Sequence, residues 1–238
     1  MYKNLRDDGG VGHPSYNARE DAGYRGGRRR SAGYYGAMSR STYNLLIGAI
    51  LLWSFAVNAI MVKFATPFFA GLNPVGLAIA YLAISIIGII ISKQSNSTAV
   101  SFVGYNMVVI PAGAILSLAL IGVSNISIMN AILVTGGVVA IMTVLGSLFP
   151  DFFLGMGRTL FIALCAVVAV EFIAILLGWH MPSFWDWIIA LLFSAYIAHD
   201  WAEAQYDNCT TDNAVDACVA LYLDIINLFL HIVGICDD

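Results

Sequence analysis

Charge is what this sequence has least of. Only 11% of its 238 residues are charged against 60% hydrophobic, and the mean hydropathy is +0.82. A soluble core of this size cannot hide that much apolar surface, so the bilayer must take the remainder. Catalytic signatures are missing as well. There is no GxSxG, Walker loop or GxGxxG, and HDWAE at 199–203 is not HExxH because only one of its ends is a histidine. The four cysteines, Cys165, Cys209, Cys218 and Cys236, imply no disulfide framework. Cys209, Cys218 and His199 lack the short spacings that present zinc ligands together. These absences point away from an enzyme and from a resident cofactor.

What is present is long apolar stretches. Windows of about 20 mostly apolar residues recur with short polar breaks, and each can span a bilayer as a helix. The expectation is an all-α integral membrane protein with seven transmembrane helices, near 44–65, 74–92, 100–121, 128–149, 159–178, 184 through the AHDWAEAQ exit, and 213–236. Residues 1–40 form a separate regime, rich in Gly, Tyr and Arg and almost without aliphatic residues, so they are predicted to be a disordered basic tail. They lack the small-residue cleavage pattern of a removed signal peptide. The seven-helix domain then covers 41–238.

Charge placement sets an orientation. Eight of the 11 Lys and Arg precede the first span, which puts the N-terminus in the cytoplasm and, after seven crossings, the C-terminus outside. GGRRR reads as a topology determinant or a contact with anionic lipid rather than with nucleic acid. Asp200, Glu203, Asp207, Asp212 and Asp216 crowd the link between the sixth and seventh spans, so that mouth attracts cations.

The final span holds the sharpest feature. LYLDIINLFL, residues 221–230, places one carboxylate, Asp224, in a run otherwise suited to hydrocarbon. An ionised Asp there costs about 3 kcal/mol on insertion-derived scales. Asp224, Asn227 and His231 recur at i, i+3 and i+7, on one helix face. Tyr196, Asp200, Glu203 and Asp207 do the same on the sixth span, and the short link makes the two spans an antiparallel hairpin whose polar stripes face each other. Asp224 is then either half of a carboxylate pair with Asp200 or a packing device bonded to a neighbouring helix. Asn227 and His231 are either ligands or interhelical hydrogen-bond glue. Lys63 and Glu171, on the first and fifth spans, are expected either to pair or to face a wet cavity. Gly136, Gly137 and Gly146 are expected to permit close helix approach.

HDWAEAQYD followed by ALYLDIINLFLHIVGI resembles the C-terminal signature of the Bax-inhibitor family, in its bacterial form. ILVTGGVVAIMTVLG and DFFLGMGRTLFIAL are similar to that family's small-residue fourth helix and the connection after it. The resemblance implies seven helices with the last at the centre of the bundle, in a bacterial inner membrane. It also implies a pH-sensitive calcium leak in which two aspartates share protons, and these map onto Asp200 and Asp224. Where the family has a D-T-Q exit this chain has Asp200, Trp201 and Ala202, and where relatives place charged latch residues the second span offers Tyr81 and Ser85.

Two carboxylates a few ångströms apart in a low dielectric resist being ionised together, so a shared proton closes the pair and its loss leaves repulsion that a cation relieves. Calcium wants six to eight oxygens. Asp200 and Asp224, with Asn227, Tyr196 and Glu203 in support, make a weak transit site for it rather than a storage site. The partners implied are membrane lipids, protons and calcium as transported ion. The rival expectation is a non-conducting regulator or adaptor that binds other membrane proteins of quality control or stress signalling.

Overall fold

A computed structural model describes residues 38–237 apart from His180. The predicted tail lies outside the described residues except for its last three. Met38 and Ser39 precede a helix that already starts at Arg40, four residues before the apolar run at 44. The cause is local: the Ser39 hydroxyl accepts from the Thr42 N–H and caps the first turn.

All the regular structure among the described residues is helical. The long helices are α1 (Arg40–Phe64), α3 (Pro74–Gln94), α4 (Thr98–Ala119), α5 (Asn125–Leu148), α7 (Gly157–Leu177), α8 (Phe184–Tyr206) and α9 (Thr211–Asp237). Two short ones, α2 (Thr66–Phe69) and α6 (Pro150–Gly155), occupy connections between the spans, where each proline sits in a first turn and its missing N–H costs nothing. Asn73 caps α3 ahead of Pro74, and Ser124 caps α5. Gly178, at φ +65°, ends α7 in the left-handed region.

Six of the long helices are apolar enough to cross a membrane. The seventh, α8, spans 23 residues, about 34 Å at 1.5 Å per residue, which exceeds the roughly 30 Å hydrocarbon layer. Its Asp186, Asp200 and Glu203 lower its hydropathy. Large apolar side chains point outward all round the bundle, among them Leu45, Ile126 and Leu191, each at least 70% exposed and so facing lipid. The protein is thus an all-α integral membrane protein.

Its last helix is its centre. Of the most apolar window of α9, 56% is buried, against 17% for α7 and 11% for α5. α9 packs on α1, α4, α5 and α8 and touches the end of α3, while among the described helices α7 touches only α6 and α8. Small residues set the approach of α5 to α8: a Cβ on Gly146 would stand 2.5 Å from the Ala198 carbonyl oxygen. Gly136 and Gly137 were expected to do the same, but a Cβ on either meets nothing within 4 Å. Both are exposed, and Gly136 borders a cavity shared with α1, α4 and α9.

Candidate functional site

α8 and α9 run antiparallel through a four-residue link. The link is held from within by Asn213, whose amide donates to the Asn208 carbonyl at 2.9 Å. It is also held from α1, where Arg40 donates to the carbonyls of Ala204 and Asp207 and the Met38 N–H donates to that of Cys209 at 2.8 Å. The predicted hairpin is therefore a clamped one.

Within it the two aspartates meet. Asp224 is 7% exposed, and its carboxyl lies within hydrogen-bonding reach of Asp200. Counted along the helices, Asp200 is about 9 Å of rise from the hairpin and Asp224 about 20 Å. Side chains lean toward the N-terminus of their helix, so Asp200 leans into the bundle and Asp224 toward the hairpin, which narrows the difference. Tyr196, one turn before Asp200, is close enough for both carboxylates to act on its hydroxyl. The Asp224 Oδ2 is buried without a hydrogen-bond partner. A bare carboxylate oxygen so placed is costly, and a proton held between the two acids removes the cost.

One residue at the site had been set aside. His199 Nδ1 lies 2.8 Å from Asp200 Oδ1, and its imidazole, the Asp200 carboxylate and the exposed Glu203 present ligand atoms all within 4.8 Å of one another. Sequence reasoning grouped His199 only with Cys209 and Cys218, and that grouping is not assembled, because Cys218 is buried and turned to the Ile47 carbonyl. The overlooked signal was spacing, since His199 and Glu203 stand at i and i+4 on one helix.

The rest of the predicted stripe divides. His231 Nδ1 is bonded to Asp186 Oδ1 at 2.7 Å, tying α9 to the start of α8 away from the aspartate pair. Asn227 donates to the Leu223 carbonyl of its own helix. Neither completes a ligand shell at Asp224. Asp207 leaves the stripe too, as the C-cap of α8, with Arg40 and Lys93 near enough to offset its charge.

Lys63 and Glu171 do not pair. They sit on α1 and α7, which make no contact. The Lys63 ammonium instead lies 5.3 Å from the Phe64 ring centroid. It also borders a cavity of about 530 Å³ between α1, α4, α5 and α9, walled chiefly by apolar side chains such as Phe55, Leu116 and Ile225.

Helix α3 is tied to α9 at the hairpin end rather than at the acid pair. Ser92 donates to Asp216 at 2.7 Å, and Ser101 of α4 donates to Asp212 at 2.6 Å. Ser85, one of the two polar residues expected near the pair from this helix, is buried with its hydroxyl unpartnered. A second polar cluster, not foreseen, lies on another side of α9. There Asn58 Nδ2 donates to the Tyr222 hydroxyl at 2.6 Å, and Tyr105 is hydrogen-bonded to Ser54.

The family model described as "Inhibitor of apoptosis-promoting Bax1" matches residues 36–237. Two proteins of Helicobacter pylori, from strains ATCC 700392 / 26695 and J99 / ATCC 700824 and each described as uncharacterized, are similar to this chain. Both are 42% identical over 92 residues, which is 35% of this chain and 37% of theirs. The chain thus spans little more than a third of the length of the curated relatives it matches.

Proposed function

Because the chain belongs to the Bax-inhibitor family, we propose that it is a pH-sensitive calcium leak of the cell membrane, gated by Asp200 and Asp224. One observation carries this: on the central helix, a buried carboxyl with a partnerless oxygen lies against a second carboxyl on the next helix. Two like charges, one of them buried, make the doubly ionised pair unfavourable, and a shared proton relieves it. With that proton in place the two carboxyls attract and α8 closes on α9. Without it they repel, and a passing calcium ion relieves the repulsion, with water completing its shell. The excess of basic residues before α1 supports a cytoplasmic hairpin end in this reading, and the membrane we propose is a bacterial inner membrane.

The test is calcium flux into indicator-loaded liposomes across a pH series, with the parent, Asp200→Asn and Asp224→Asn. Parent flux that varies with pH, and variants that lose either flux or its pH response, support the reading. Absence of flux at every pH from correctly folded protein would overturn it and leave the non-conducting regulator, to be pursued by capture of membrane-protein partners.

A further inference from the structure

We propose that the apolar cavity between α1, α4, α5 and α9 takes the chain of a long-chain fatty acid from the bilayer, with the carboxylate held by Lys63. The site is separate from the acid pair, since α9 contributes Ile225, Ile226 and Phe229 to the lining and Asp224 is not among the lining residues.

The cavity has an apolar inner wall, a side opening and a charged end. Its volume of about 530 Å³ lies within the range of ligand pockets. Leu116 of α4 and Ile225 and Ile226 of α9, all buried, form the inner wall. Asn58 and Thr135 also line it, but Asn58 Oδ1 and Thr135 Oγ1 are buried within the wall and Asn58 Nδ2 is taken by Tyr222. Water therefore has too few polar partners there, and the space suits hydrocarbon. Both α1 and α5 border the cavity, yet the two helices make no contact with each other. The gap between them opens on lipid, with the exposed Ala59 on one side and the exposed Gly136 on the other.

Length and charge select the occupant. From Ile128 to Val139 the cavity follows α5 for about 16 Å, close to the hydrocarbon depth of about 15 Å in one leaflet. One acyl chain fits along it. Lys63 is the charged residue among the described residues of the lining, and it stands one residue before the end of α1, at the depth where a fatty acid carries its carboxylate. No carboxylate among the described residues pairs with this ammonium. A single ammonium, with no second free side-chain donor in the lining, matches a carboxylate better than a phosphate, whose further oxygens would stay unpartnered.

The experiment uses full-length protein in phosphatidylcholine nanodiscs and palmitic acid carrying a photoreactive diazirine on its chain, with labelled residues mapped by mass spectrometry. Labelling of the buried Ile225 and Ile226, which surrounding lipid does not reach, is the signal, and labelling of the outward Leu45 and Leu191 is the control. In the parent the signal should be present and should be competed by palmitic acid, but not by methyl palmitate or dipalmitoyl phosphatidylglycerol at the same concentration. Lys63→Gln should lower it at least about threefold with the control unchanged. Gly136→Leu places its Cβ where nothing lies within 4 Å and fills the opening with the rest of the side chain, so it should abolish the signal. Lys63→Gln decides the matter if Gly136→Leu does not fold. No signal in the parent, equal competition by the ester or the phospholipid, or a variant that labels as the parent does would overturn the site. Labelling is read without flux, so a failed leak and a failed fatty-acid site are told apart.

Discussion

Three glycines of α5 put the packing to a test in which the sign of the effect, not only its size, is at stake. In an exposed helix Gly→Ala gains up to about 1 kcal/mol because alanine loses less backbone freedom. In a membrane this gain is smaller, since the reference state keeps much of its helix. At Gly146 the new Cβ would stand 2.5 Å from the Ala198 carbonyl oxygen, an unyielding backbone atom. Relief to an ordinary contact needs α5 and α8 to part by roughly 0.8 Å, and overpacking of this kind costs about 1–3 kcal/mol. Gly146→Ala should therefore destabilise by about 1–2 kcal/mol net, while Gly136→Ala and Gly137→Ala, which meet nothing within 4 Å, should be neutral or mildly stabilising. Ala198 directly precedes His199 and Asp200, so Gly146→Ala should also disturb the acid pair. Reversible unfolding in mixed detergent micelles gives the three values on one scale. If Gly146→Ala is tolerated as well as Gly136→Ala, the close contact of α5 with α8 is wrong, and with it the backbone frame of the site.

Four further outcomes follow from the geometry. In Asp200→Asn and Asp224→Asn the flux should lose its dependence on pH, because neither variant keeps two acids that compete for one proton, and an unchanged profile would remove the pair from gating. Tyr222→Phe deprives the Asn58 amide of its acceptor and should cost about 1–2 kcal/mol on unfolding, much of it recovered when Asn58 is also made Leu. Ser92→Ala removes the bond from α3 to Asp216 and should cost about 1 kcal/mol, detectable as faster amide exchange at the C-terminal end of α3. Lys63→Met and Glu171→Gln should show no coupling in a double-mutant cycle, since α1 and α7 do not touch; a coupling above about 0.5 kcal/mol would contradict this packing.

The membrane class and the spans were readable because hydrocarbon imposes a length and a composition at once. A boundary slipped where a side-chain cap decides it, since Ser39 starts α1 ahead of its apolar run, and Pro150 begins a short helix within the connection between the fourth and fifth spans. The i, i+3 and i+7 stripe on α9 did face α8, but periodicity alone cannot say what each member meets. Asp224 meets Asp200, His231 meets Asp186, and Asn227 turns back on its own helix. His199 escaped because its partners are one and four residues away on its own helix, whereas the zinc grouping joined it to distant cysteines. Lys63 and Glu171 failed for the opposite reason, since matching depth and opposite charge say nothing about which helices are neighbours. The Gly136–Gly137 pair misled likewise, because small residues permit contact without specifying it.

The strongest support for Asp224 as the working residue comes from what surrounds it on α9. Peripheral helices facing lipid must be apolar on their outer side, so polar groups gather on the helix that lipid does not reach. Such groups stay in a membrane interior only when bonded, and α9 meets that demand residue by residue. Asp212 accepts from Ser101, Asp216 accepts from Ser92, Cys218 is turned to the Ile47 carbonyl, Tyr222 is bonded to Asn58, Asn227 donates to Leu223, and His231 is bonded to Asp186. Among the described residues of α9, the Asp224 Oδ2 is the buried side-chain oxygen left without a partner. Leaving it bare costs on the order of 1–3 kcal/mol, as it does for the unpartnered Ser85 hydroxyl and Asn58 Oδ1, but neither of those is a carboxylate oxygen. An oxygen left open beside a second carboxyl is instead what a site requires if its occupant, a proton or a cation, comes and goes.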